Sequence, residues 1–179
     1  MEPMELARQL ADVSLFQGMS PEQIATIVGG AERQHYAAGE VICREGDPVD
    51  GFYILLEGRV SVRKAQGERE AEVAVLSPKA VFGEMGLIGG KPRSASCVAA
   101  EPCVIYRIDR AAFEELCARG GAATVRLVLN LAAIIAARLE SLTAAFAELT
   151  ERVEHARKPE DKVHELDVFR DKLYTEWAF

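Results

Sequence analysis

The chain has very little from which to build a catalytic or metal centre. Its histidines are His35, His155 and His164, and only His35 falls in the stretch that reads as strands. A metal site inside a small β-barrel needs several imidazoles or carboxylates converging on one point, which a lone histidine does not supply. No Ser/His/Asp arrangement is present, so the expectation is a protein that is not an enzyme and carries no cofactor. Cysteine is scarce: Cys43, Cys97, Cys103 and Cys117 show no CxxC spacing and sit among apolar neighbours. That is the pattern of small buried hydrophobes held as free thiols in a reducing compartment. The longest apolar run, Leu127 to Ala137, has 11 residues broken by Asn130, short of the ~20 that span a bilayer. The N-terminus has two early glutamates and no apolar core, unlike a secretory or transit segment. Basic excess is lacking too, since the net charge is −7, whereas a nucleic-acid footprint needs a basic face. These absences predict a cytoplasmic protein that binds neither DNA nor membrane.

What is present is enough apolar mass for one core: 179 residues, 49% hydrophobic and 27% charged, a one-domain length. Residues 1–30 read as short helices, with Met4, Leu6, Leu10, Val13 and Phe16 at helical spacing and Ser20-Pro21-Glu22-Gln23 opening a second helix by a capping serine and a proline at the first position. From Arg33 to about Arg107, runs rich in Val, Ile, Tyr and Phe alternate with Ala38-Gly39, Gly46-Asp47-Pro48, Glu57-Gly58, Ser77-Pro78, Gly89-Gly90 and Glu101-Pro102. Many short strands with frequent turns predict a small β-barrel or jelly roll over residues 31–121, ending in a short helix. The polar stretch Gln66 to Glu72 reads as a solvated hairpin tip.

Within this region Phe82 to Ser96, FGEMGLIGGKPRSAS, sets a lone carboxylate, Glu84, and a lone arginine, Arg93, around a glycine-rich turn. A guanidinium offers a planar fork of donors suited to two oxygens of one phosphate, and a carboxylate accepts from a sugar hydroxyl. Gly83 and Gly86 allow the backbone to approach a ligand, and Pro92 fixes the chain just before Arg93. The composition is that of a pocket for a sugar phosphate of low charge.

The segment resembles the phosphate-binding cassette of the cyclic-nucleotide-binding domain, the module of bacterial catabolite activators, kinase regulatory subunits and cyclic-nucleotide-gated channels. Upstream, GEVICREGDPVDGFYILLEGRVSV is similar to the family's leading hairpins; downstream, VIYRIDRAAFEEL is similar to its last strand and following helix. The likeness runs from about Ser14 to Leu142. It implies an α+β, mainly β fold, with the cyclic-nucleotide-binding β-barrel or jelly roll preceded by helices and followed by a long helix. It also implies a cyclic mononucleotide ligand, with Arg93 on the cyclic phosphate and Glu84 on the ribose 2′-hydroxyl. Backbone contacts would come from Gly83 and Met85, and further phosphate contacts from Ser94 and Ala95. Ser94 leaves the base open, with cyclic AMP favoured over cyclic GMP. The resemblance also implies that the long helix covers the base, with Leu139, Leu142 and Thr143 as the candidates. The competing reading keeps the fold without the nucleotide, as a structural or adaptor module.

The long helix predicted over residues 122–157 carries Val128, Ala132, Ile135, Leu139, Leu142, Phe146, Leu149, Val153 and Ala156 at alternating spacings of four and three, the seam of a coiled coil. At 1.5 Å per residue it would run ~54 Å, more than one small barrel covers. A homodimer through this helix is expected, with a hinge at Gly120-Gly121. Residues 158–179 read as an amphipathic tail helix bearing Val163, Leu166, Phe169, Leu173 and Trp177, with Pro159-Glu160-Asp161 at its start. Its 22 residues are too few for a winged helix-turn-helix, so the expected output is contact with an effector protein rather than DNA.

Overall fold

The computed structural model describes residues 2–156 apart from Glu68; the expected tail helix at 158–179 lies outside the described residues. The chain divides into two compact units, 1–136 and 137–179. In the first, α1 (Pro3–Leu10), a 3₁₀ turn (Ser14–Phe16) and α2 (Pro21–Val28) precede the strands. The Ser20 cap is built as its sequence predicts. Gln23 N donates to Ser20 Oγ at 3.3 Å and Ser20 N donates to Gln23 Oε1 at 2.9 Å, so each residue satisfies an orphan donor of the other.

Eight strands follow: β1 (Glu32–Tyr36), β2 (Val41–Cys43), β3 (Gly51–Glu57), β4 (Val60–Gln66), β5 (Arg69–Leu76), β6 (Val81–Phe82), β7 (Ser96–Ala99) and β8 (Cys103–Asp109). The short α3 (Glu84–Gly89) lies between β6 and β7, and α4 (Arg110–Arg119) follows β8. The expected closed barrel or jelly roll is not what forms. The strands make two separate four-stranded sheets, ordered β1-β8-β3-β6 and β2-β7-β4-β5, and no ladder joins them among the described residues. Turn residues mark where strands end but do not say whether the outer strands of two sheets meet, and here each sheet keeps its own edges.

Side chains hold the sheets together. Tyr53, Leu55, Phe82, Cys103 and Ile105 from one sheet pack with Ile42, Val60, Cys97 and Ala99 from the other. The opposite face of the first sheet carries Phe52, Ile54, Val81, Tyr106 and Ile108, which pack on Leu6, Leu10, Phe16, Ile24 and Phe113 of the helical elements. Both faces of β3 are therefore covered, and its sequence FYILL is a continuous apolar run rather than an alternating one. The expected polar tip at Gln66 to Glu72 is mostly strand, since Gln66 pairs with Arg69 and Arg63 with Glu72. Glu72 is held there because its carboxylate accepts from the buried Ser61 hydroxyl at 2.6 Å.

The long helix α5 spans Ala122–Ala156. In the first unit it turns Thr124, Leu127 and Leu131 into the core, with Ile134 packed against them. Asn130, which breaks the apolar run in the sequence, donates to Leu15 O at 2.7 Å and Gln17 O at 3.0 Å and so ties α5 to the N-terminal segment. The expected seam lies on other residues, and Val128, Leu139, Leu142, Phe146 and Leu149 are exposed. The helix is also longer and more apolar than the run read from sequence. Ala122–Arg152 has a window of mean hydropathy 1.7, enough by length and composition to cross a membrane, with 11% of that window buried. The four thiols are free, with Cys97 and Cys103 buried and Cys43 partly so; Cys117, expected among apolar neighbours, is exposed on α4.

Candidate functional site

The cassette begins where β6 leaves the sheet. Gly83 caps α3 with φ 78° and ψ 0°, in the left-handed region, where a side chain costs about 1–2 kcal/mol. A Cβ there would lie 2.4 Å from Arg93 Nη1. Glycine at 83 therefore serves the turn and the close approach of the guanidinium together. Glu84, the first residue of α3, is fully buried. Gly86 is boxed in: a Cβ would meet Val49 Cγ2 at 2.5 Å and Lys91 O at 2.7 Å. The chain then turns back through Gly90, also left-handed, into Pro92 and Arg93.

Arg93 is 3% exposed. Its Nη1 donates to Gly83 O at 2.9 Å, and its Nη2 lies 2.5 Å from Asp50 Oδ1. The guanidinium carbon sits 5.1 Å from the centre of the Tyr53 ring, within the range of a cation over an aromatic face. Tyr53 is stacked on Phe82 at 5.0 Å, so the platform under the cation is fixed by the β3–β6 pairing that sets Tyr53 opposite Phe82. Burial pushes the Tyr53 phenol well above its ordinary range, and it stays a neutral donor beside the guanidinium.

Backbone bonds clamp the cassette's exit. Arg93 N donates to Asp47 O at 2.9 Å and Gly46 N donates to Arg93 O at 2.9 Å. The next residues are held by the β2–β3 turn and by β4: Glu45 N donates to Ser96 Oγ at 3.0 Å, and Lys64 Nζ donates to Ser94 O at 2.6 Å while pairing with Glu45. The Ala65 amide, and then the Lys64 ammonium, hold the Glu45 carboxyl below the usual range.

The structure thus brings Gly83, Glu84 and Arg93 together at one turn. Met85 and Ser94 are exposed, and Ala95 is half-buried. The sequence reading missed Asp50, Tyr53 and Arg107. Asp50 is 54% exposed and is shared, because Arg107 Nε lies 3.3 Å from its second carboxylate oxygen. Arg107 Nη2 also pairs with Asp109 at 2.7 Å and Nη1 with Glu32 at 3.2 Å. The backbone of Asp50 joins the same cluster, its carbonyl accepting from Arg110 N at 2.9 Å at the start of α4. An acidic residue directly before the strand-opening Gly51 was the available signal. Its partner lies 43 residues away and is set by topology rather than spacing.

The site holds one buried cation, a carboxylate buried on the neighbouring turn, and an exposed carboxylate resting on the cation. Such a constellation is chemically suited to a single anionic group at Arg93. Among the described residues no cluster of three or more His, Cys, Asp or Glu side chains is placed to hold a metal.

Comparison with known proteins places the chain in a family. The cyclic nucleotide-binding domain family matches residues 33–120. A cyclic nucleotide-gated potassium channel of Mesorhizobium japonicum is 39% identical over 108 residues, covering 60% of this chain and 29% of the channel. The solved cyclic nucleotide-binding-like protein from Brucella abortus is 33% identical with a TM-score of 0.53, over 61% of this chain and 94% of that one. The catabolite activator protein of Thermus thermophilus is 30% identical with a TM-score of 0.67, over 76% of this chain and 63% of that one. The chain spans less than a third of the length of the curated relatives it matches. On the matched family, the shared fold and the cassette geometry, the chain belongs to the cyclic nucleotide-binding domain family.

Proposed function

We propose that this chain is a non-catalytic sensor of a cyclic mononucleotide, cyclic AMP in preference to cyclic GMP, acting in the cytoplasm through protein contacts. The observation that carries the reading is the state of Arg93: a buried guanidinium whose carboxylate partner, Asp50, is more than half exposed. A pair that served only to fix the loop would have no use for an exposed acid, whereas an exposed acid can be displaced by a phosphate. Glu84 takes the ribose hydroxyl, Gly83 and Met85 supply backbone contacts, and Ser94 and Ala95 close on the phosphate. The cycle's single negative charge matches the single cation.

Displacement also gives the switch a route. When phosphate takes Nη2 of Arg93, Asp50 keeps Arg107, and its carbonyl keeps the first amide of α4. A shift of Asp50 is thereby passed to α4, which ends at Gly120 and Gly121, both at positive φ with open space around them. The start of α5 lies directly beyond. This works as a switch to the extent that ligand binds one packing of these helices better than the other. Titration calorimetry with cyclic AMP and cyclic GMP is the direct test. Binding at micromolar or tighter concentration, stronger for cyclic AMP, is expected; no heat from either nucleotide would leave the adaptor reading, in which the Arg93–Asp50 pair is a fixture of the fold.

The exposed stripe Val128, Leu139, Leu142, Phe146 and Leu149 supports a homodimer built on α5. An apolar row of this kind is costly in water unless covered, and its alternating spacing is that of a two-helix seam. Light scattering should give twice the chain mass of 19.5 kDa; a monomer at high concentration would remove the dimer.

A further inference from the structure

Strand β2 contains a bulge. Val41 pairs with Val98, yet Cys43, two residues on, pairs with Cys97, only one residue back. The extra residue turns Ile42 and Cys43 onto the same side, and both pack in the cluster that contains Cys97. Two thiols therefore face each other across an antiparallel pair. Directly opposed residues there have Cα atoms about 4.5–5.5 Å apart, inside the range a disulfide bridges. Cys97 is buried, while Cys43 is partly open to solvent. Cys97 follows Arg93 by four residues, between them Ser96, whose hydroxyl accepts from Glu45 N. The cassette and the thiol pair thus share one clamped stretch of backbone.

We propose that Cys43 and Cys97 are an oxidisable pair whose closure to a disulfide weakens nucleotide binding in the adjoining cassette. This rests on the nucleotide-sensor reading above.

The chemistry balances with a low-molecular-weight disulfide as oxidant. The Cys43 thiolate attacks one sulfur of glutathione disulfide, forming a mixed disulfide and releasing one glutathione thiolate. Cys97 then gives up its proton and displaces the second glutathione from Cys43. Two electrons pass to the oxidant and two molecules of reduced glutathione leave.

Exposure sets the order of attack, since Cys43 is partly open to solvent and Cys97 is buried, and the electrostatics run the same way. Hydrogen bonding with Cys97 first, and then the Arg93 charge, draws the Cys43 thiol below its ordinary range against the opposing effect of burial. Cys97 is pushed up by the hydrogen bond with Cys43 and then by burial; Arg93 opposes the rise and Glu84 adds to it. Asp50 opposes the fall at Cys43. Cys43 is accordingly the attacking thiol and Cys97 the resolving one. Bonding draws the sulfurs from contact to about 2.05 Å. That pulls β7 toward β2 and shifts the Arg93 fork from the geometry a bidentate phosphate contact requires.

The test uses the full chain carrying Cys117→Ser, which removes the exposed thiol on α4. Treatment with glutathione disulfide should give a linked Cys43–Cys97 peptide by mass mapping. Cyclic AMP affinity should fall about fivefold or more, the low end of measured couplings between sites, and recover with dithiothreitol. Cys43→Ser in the same background should bind normally and ignore the oxidant. Glutathione adducts without the internal link, or a link with unchanged affinity, would overturn the proposal. A reduced protein that binds neither cyclic nucleotide overturns the sensor reading and the gate with it, while the linked peptide still decides whether the pair forms.

Discussion

Arg93→Ala is expected to remove nucleotide binding, at a cost of about 2–5 kcal/mol, the range for truncating one partner of a buried hydrogen-bonded charge pair. In affinity this is roughly 30-fold to several thousandfold. The magnitude follows from what replaces the guanidinium. The cation is 3% exposed, so in the variant the phosphate would enter a desolvated pocket with no counter-charge, and water cannot fully substitute. The variant should still fold. Asp50 is half in solvent and retains Arg107 at 3.3 Å; the main structural losses are the bond to Gly83 O and the contact with the Tyr53 ring, a moderate effect of about 1–3 kcal/mol. Calorimetry on the variant beside a denaturant titration separates the two. Unchanged affinity in a folded variant would overturn the placement of the phosphate at Arg93.

The residues behind that expectation were unevenly legible in the sequence. Glu84, Arg93 and the glycines could be read because the cassette is local: 15 residues of chain carry the turn, the carboxylate and the cation together. Asp50 and Tyr53 could not, because they reach Arg93 only through the β3–β6 pairing, and nothing in the local pattern encodes which strands become neighbours. The Cys43–Cys97 pairing is hidden for a related reason, since a regular β2 would place Cys43 on the face opposite the one it occupies and the bulge reverses it. Periodicity marked a single apolar seam on α5, through Val128 and Leu142, but did not say which side of the helix meets the core. Leu127 and Leu131 are inside, whereas the more regular stripe through Val128 and Leu142 is outside. Strand ends were marked by their turns; closure of the sheets was not, because it depends on edges that no turn residue specifies.

Gly58→Ala is expected to be strongly damaging to the packing of the two sheets, and Gly39→Ala gives the measure of why. Both glycines lie at nearly the same backbone angle, φ 88° and 85°, so both variants incur the left-handed strain of about 1–2 kcal/mol. Around Gly39 a Cβ would meet nothing within 4 Å. At Gly58 it would lie 2.4 Å from Pro102 O and 2.7 Å from Cys103 Sγ. The first of these is backbone, fixed where β8 begins, and the sulfur is tethered to Arg59 O and Glu101 O by its own hydrogen bonds. Neither can give way cheaply, which adds about 1–3 kcal/mol of overpacking. The position matters because Gly58 is where the chain crosses from β3 in one sheet to β4 in the other, so strain there opposes the packing of the two sheets directly. Thermal unfolding should show Gly58→Ala losing roughly 5–15 °C and Gly39→Ala clearly less. Equal losses would mean that the crowding at the crossover relaxes freely and that backbone strain alone sets the cost of both substitutions.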